Sequence, residues 1–279
     1  MDISISDIEQ AIVSQIAADT LSLPTLPDVA LEVKRVAADP NSDMSSLVRV
    51  VSTDASVSAR MLKVANSPMM RRSENEVTDL KVALTTMGMK YASNLALGVA
   101  MAQMFESSND LINRQLKKTW QTSSEVAGLC QAFCKFGTTL EPSVAMLAGL
   151  VHKIGVLPVL TYAEANPELA ADETLLLEAM QKLHPVIGTL ILRRWAFSDE
   201  LVNVCEHYLE FEREVADADY VDVVTVAVLQ NHRNDDSFLG SVDTSLVKAY
   251  ERLNMSPDSE DESVELIGTA SDAAWAMGQ

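Results

Sequence analysis

Apolar residues recur at helical period along almost the whole chain, and no segment alternates like a half-buried strand. That pattern restricts the fold to packed helices. Ile5, Ile8, Ile12, Val13 and Ile16 stripe a first helix. Pro24 and Pro27 then break the chain, and Asp28 starts a second helix with Val29, Val33, Val36 and Ala37 on one face. A turn at Asp39-Pro40-Asn41-Ser42 precedes a short helix from about Asp43, with Leu47, Val48 and Val51 inward. Asp54 stands where the next helix needs its cap; that helix carries Val57, Met61, Leu62 and Ala65 and ends at Asn66-Ser67-Pro68. A helix from Asp79 to Met87 stops at Gly88, a nearly uncharged one runs on to about Phe105, and 109–136 read as one long helix. His152 falls near the end of the next, before Gly155. Further helices are predicted over 173–182, 184–195, 198–212, 219–233, 242–253 and 261–277. The fold class is all-α.

At 279 residues the chain can bury a sizeable core. Its formal net charge is −19, unevenly placed: from residue 199 onward there are 19 acidic and 4 basic residues. That balance argues against nucleic acid and anionic membrane as partners, since both need cationic groups to neutralise phosphate. Three cysteines form an odd set that points to a reducing compartment, and Cys130 and Cys134 read as small buried hydrophobes. Residues 1–7 lack the basic start and apolar run of a signal peptide, so the protein is expected in the cytoplasm. The longest apolar stretch, Ser143 to Ala163, holds Lys153 at its centre, which a membrane span tolerates poorly.

The polar residues that interrupt these stripes are the candidate functional groups. Ala148-Gly149-Leu150-Val151-His152-Lys153-Ile154-Gly155 resembles the Ala-Gly-Leu-Leu-His-Asp-Ile-Gly signature of the HD phosphohydrolase superfamily, with Lys153 at the aspartate. Leu23-Pro24-Thr25-Leu26-Pro27, the acid-led segment from Asp54 through Arg60 to Asn66-Ser67-Pro68, and Leu84-Thr85-Thr86-Met87-Gly88 resemble successive motifs of the HD-related output domain, HDOD. So do Asn94-Leu95-Ala96-Leu97, His184-Pro185-Val186-Ile187-Gly188, Trp195 and Glu206-His207-Tyr208. The resemblance spans roughly residues 20–215. It implies an all-α fold of two helical sub-bundles, 20–106 and 107–215, the second HD-like, after an N-terminal helix (1–19) and before an acidic helical extension (216–279).

In the HD superfamily a His-Asp doublet holds a divalent metal that activates water against a phosphoester. Here the resemblance places Thr122 at the early metal histidine, Lys153 at the aspartate and Val228 near the later aspartate, leaving His152 alone of four positions. His184 and His207 stand where two-metal relatives hold a second ion. An ammonium adds positive charge and no lone pair, so no metal and no cofactor are expected. The implied role is a non-catalytic bacterial signalling module that binds signalling proteins. Two alternatives stay open: a divergent phosphohydrolase using His152, His184 and His207, or a receptor for a nucleotide or cyclic dinucleotide with Lys153 on its phosphate.

Each residue also has a plainer reading. His152 suits a core histidine bonded near a helix end, and His184 suits a cap before Pro185. His207 lies on or near an apolar stripe, while His232, between Asn231 and Arg233, reads as exposed. Asn66 either terminates its helix or fixes the junction between bundles, and Arg60 either meets a carboxylate across that junction or is solvated. Residues 263–277, with Val264, Ile267, Ala270, Ala274 and Trp275, are expected to form an amphipathic helix.

Overall fold

The computed structural model describes residues 4–257, except 19, 22, 69, 72–74 and 234. The expected helix over 261–277, with Trp275, lies outside the described residues. The described residues form helices and no strand.

The first bundle holds α2 (Asp28–Ala38), α3 (Met44–Val51), α4 (Ala55–Ala65), α5 (Leu80–Met87) and α6 (Met89–Met101). Its starts are set by aspartates: Asp43, Asp54 and Asp79 each accept the backbone N–H three residues on. Gly88, at φ 83°, turns α5 directly into α6, a left-handed backbone that favours glycine. Without a charge on most of its surface, α6 is buried continuously from Leu95 to Met101.

The second bundle comprises α7 (Asp110–Gly137), α8 (Pro142–Val151), α9 (Val156–Ala165), α10 (Pro167–Ala171), α11 (Glu173–Arg194), α12 (Asp199–His207) and α13 (Tyr220–Asn231), with α14 (Lys248–Arg252) beside α13. The opening helix, α1 (Ile5–Ala17), packs on α9 and α11. Two segments, Pro142–Ala165 and Glu173–Arg194, are long and apolar enough to cross a membrane. In the first, 83% of the most apolar window is buried by the rest of the protein.

Several boundaries depart from the periodicity. The two helices expected over 173–182 and 184–195 are one, α11, with Pro185 inside it. Proline removes a donor from the ladder, yet the helix continues, and the preceding His184 donates from Nδ1 to the Met180 carbonyl one turn back at 2.8 Å. α9 and α10 carry no periodic signal, because α9 is apolar on nearly every side. The predicted helix over 242–253 is a single 3-10 turn, Thr244–Leu246, and the short α14. The predicted 198–212 helix stops at His207, where the chain turns.

The bundles meet along two seams. At one, Trp195 Nε1 donates to the Pro24 carbonyl at 3.0 Å, while Pro27 starts α2. Lys34 donates to the Trp195 and Ala196 carbonyls and lies 5.1 Å from the Phe197 ring centroid. A cation there meets the carbonyl end of α11 and steadies Ala196 at φ 51°, unfavourable for a residue with a Cβ. At the other seam, Asn94 donates to Ser143 at 3.1 Å, from α6 to the start of α8.

An ion cluster fastens the acidic region. Asp222, 1% exposed, receives Arg252 at 2.6 and 2.8 Å and Arg213 at 3.2 Å. Nothing in the local sequence distinguished it from solvated charge.

Asn66 does not fix the junction between bundles. Its Nδ2 donates to Leu62 and Val77 carbonyls at 2.9 and 2.8 Å, and its Oδ1 accepts the Val77 N–H at 2.7 Å. The side chain thus acts as a strand partner for Val77 within the first bundle, and Ser67 closes on Val64 at 2.8 Å. Arg60 is half-buried, near Asp54, and one of its Nη atoms is enclosed without a hydrogen-bond partner among the described residues. Asn66→Ala should cost about 1–2 kcal/mol, because it strands backbone groups that the amide now pairs. Denaturant midpoints read the loss; an unchanged midpoint contradicts it.

Candidate functional site

The site is built where α8 ends. Gly149 lets α8 press against α7: a Cβ there would lie 2.6 Å from the Ala127 Cα. Gly155 does the same for α11, where a Cβ would meet the His184 carbonyl at 2.0 Å. Between these approaches sits His152, 0% exposed. Its Nδ1 lies 2.6 Å from the Gly149 carbonyl. A carbonyl only accepts, so Nδ1 carries the proton and Nε2 keeps a lone pair. That Nε2 is buried with no partner among the described residues.

Tyr208 links this ring to the next. It stands edge-on to His152, at 5.1 Å between centroids and 88° between planes, and its hydroxyl lies 2.6 Å from His184 Nε2. His184 Nδ1 already donates to Met180, so the tyrosine hydroxyl donates to Nε2. Thr225 on α13 donates to the Tyr208 carbonyl at 2.8 Å. Four helices thereby meet through one tyrosine, which carries the third position of the Glu206-His207-Tyr208 motif.

Both rings are held neutral. Burial, then the charge of Lys153, pushes His152 well below the usual imidazole range and His184 down to about 3. Lys153 is half-buried and has no hydrogen bond or ion pair among the described residues. Burial, then repulsion from Lys118, lowers it to about 8, against the pull of Asp235.

The sequence-derived candidates separate. Thr122 is half-buried on α7, one turn after Lys118, and Val228 is buried on α13. His184 is no helix cap; it lies mid-helix, 2% exposed. His207 stays outside the chain of rings, with its side chain 33% exposed and paired to Glu210 at 2.9 Å, since Tyr208 takes the inward direction. His232 is not exposed as expected. Its Nδ1 lies 2.6 Å from Asp235, and its Nε2 is enclosed without a partner among the described residues. Helical spacing could have found it, because His232 follows buried Val228 by one turn.

A divalent ion does not suit this donor set. Thr122, Lys153 and Val228 stand at three expected ligand positions, His184 Nε2 is engaged by Tyr208, and an ammonium flanks the remaining imidazole. Among the described residues no three His, Cys, Asp or Glu side chains group as metal ligands.

The family model of the HDOD domain matches residues 23–211. The chain belongs to the HDOD family. A solved Shewanella amazonensis SB2B protein, whose name proposes a metal-dependent phosphohydrolase, is 28% identical with a TM-score of 0.80, over 97% of this chain and 99% of that one. An HDOD domain protein of unknown function from Geobacter sulfurreducens is 15% identical, TM-score 0.68, over 96% of this chain and 99% of its own. A Marinobacter aquaeolei VT8 protein, whose name proposes signal transduction, is 19% identical, TM-score 0.63, over 99% of this chain and 69% of its own. An uncharacterized Treponema pallidum protein is 22% identical over 193 residues, and the match spans 65% of this HDOD chain and 36% of that protein.

Two outcomes follow from the buried rings. Tyr208→Phe leaves His184 Nε2 without its donor and should cost about 1–3 kcal/mol of stability, read by chemical denaturation. Acid should act through His184 as well. The unfolded chain protonates the ring near 6.5, whereas the fold resists until about 3, so the unfolded state binds more protons as pH falls. This contribution is complete above the unfolded pKa and decreases by about 2 kcal/mol from pH 7 to 5. His184→Gln should narrow the difference between unfolding free energies at those two pH values; an unaltered difference contradicts the assignment.

Proposed function

We propose that this HDOD protein is a non-catalytic signal-transduction module of the bacterial cytoplasm that acts by binding a signalling protein, without cofactor or metal. The observation that carries this reading is the ammonium of Lys153 where hydrolysis would need a carboxylate, beside Thr122 and Val228 at two other ligand positions. A water-activating ion needs several lone-pair donors on one centre, and this constellation supplies too few. The signalling role draws on the family and on the name of the Marinobacter aquaeolei protein. The choice of a protein partner draws on the net charge of −19, which disfavours nucleic acid and anionic membrane, and the compartment on three free cysteines.

A phosphohydrolase reading has one observation in its favour, the name proposed for the Shewanella amazonensis protein at 28% identity. Protein purified without chelator separates the two readings. The proposal expects far less than one divalent ion per chain, and capture of one discrete protein partner by the intact chain. A stoichiometric metal with phosphodiesterase activity would overturn it. Lys153→Asp should remain inactive with added manganese, because Thr122 and Val228 still leave the ion short of ligands. Turnover in that variant would place the ligands elsewhere.

A further inference from the structure

Asn66 devotes its side-chain amide to one residue of the segment between α4 and α5, and the neighbours of that residue are left open. The Val77 N–H donates to Asn66 Oδ1 at 2.7 Å and the Val77 carbonyl accepts from Nδ2 at 2.8 Å, as a strand residue pairs with the residue opposite it. Asp79 is likewise extended, at φ −94° and ψ 123°. Successive residues of an extended chain turn their backbone groups to opposite sides, so Glu76 and Thr78 direct theirs away from Asn66. Both residues are exposed, and neither makes a hydrogen bond among the described residues. Two N–H and two carbonyl groups, repeating at about 6.8 Å, thereby form a short unpaired strand edge.

The same residues, Glu76 to Asp79, line a groove of about 380 Å³ shared with α5. Its apolar lining comes from Ala65, Met70, Val77, Val82, Ala83 and Met87, and Val82 is 53% exposed. A backbone edge beside an apolar groove has two needs. A helix has satisfied its own main chain and meets only the apolar one, as does a small apolar molecule. An extended peptide meets both, because its backbone pairs with Glu76 and Thr78 while every second side chain enters the groove. We infer that this groove is the docking site for an extended segment of a partner protein, with apolar side chains at alternate positions, added as a strand to the edge at Glu76 and Thr78. The inference rests on the protein-binding reading and gives it a surface and a partner chemistry.

Selection on the intact chain from a phage-displayed library of random dodecapeptides supplies the test. The recovered peptides should carry apolar residues at every second position. A synthetic copy of one should bind at least tenfold more weakly to Val82→Arg, which puts a charged chain into the groove. Val82 is exposed enough for that variant to keep the wild-type denaturation midpoint, so lost folding does not account for lost binding. N-methylation of the peptide reads the backbone pairing without altering the protein. Methyl groups on one alternate set of amides should weaken binding at least tenfold, and those on the intervening set less than about threefold, since one side of a strand faces the edge. Equal effects of the two sets, recovery of no alternating peptide, or full affinity in Val82→Arg would overturn the inference. Anilinonaphthalene sulfonate bound at this groove, with no peptide recovered, would overturn it in favour of a small-molecule site. A dimer of the intact chain that Val82→Arg dissolves would overturn it in favour of a second copy. None of these failures touches the protein-binding reading itself, which falls with a stoichiometric metal and phosphodiesterase activity.

Discussion

The hydrogen bond between the Tyr208 hydroxyl and His184 Nε2, 2.6 Å long and closed to solvent, is the contact on which the second bundle turns. It requires His184 to be neutral with its proton on Nδ1, and that proton goes to the Met180 carbonyl one turn back in α11. One imidazole thus ties α11 to the residue that ends α12. Tyr208 in turn offers its ring edge to His152 and its carbonyl to Thr225, so α8 and α13 take their positions from the same residue. A buried polar network of this kind is stable only when its members are satisfied, and here they are, up to the outer nitrogen of His152.

From that nitrogen outward the character of the protein changes. At the ends of α8 and α13, His152 Nε2 and His232 Nε2 are enclosed without a partner among the described residues. The contrast matters because the same region would house a metal in a hydrolase of this architecture. Lys153 contributes an ammonium in place of a carboxylate, which favours an anion over a cation. The close approaches at Gly149 and Gly155 shape this part of the scaffold.

Charge elsewhere is used for construction. Five aspartates cap helices: Asp43, Asp54, Asp79, Asp172 and Asp219 each accept from the first turn that follows them. Asp222 goes further and, with Arg213 and Arg252, locks α14 onto α13. Lys34 performs the complementary task at the carbonyl end of α11, joining the proline segment to Trp195 across the bundle seam.

The sequence by itself determined the helical class, most helix starts and the family. These are local properties: a 3.6-residue period, an aspartate before a stripe, a residue type at a motif position. Only the tertiary structure decided what the histidines do. His184 and His207 both sit in motif segments, yet one is buried against Tyr208 and the other faces Glu210, because the end of α12 sets which side turns inward. His232 looked solvated between Asn231 and Arg233 and is enclosed, since it continues the buried face of α13. The continuity of α11 through Pro185 was equally hidden, because a proline inside an apolar stripe reads as a break, and whether the helix resumes beyond it depends on the helices packed on both halves. Periodicity reports which face of a helix is buried; the partner a buried polar atom finds depends on helices distant in sequence, and that is fixed only when they pack.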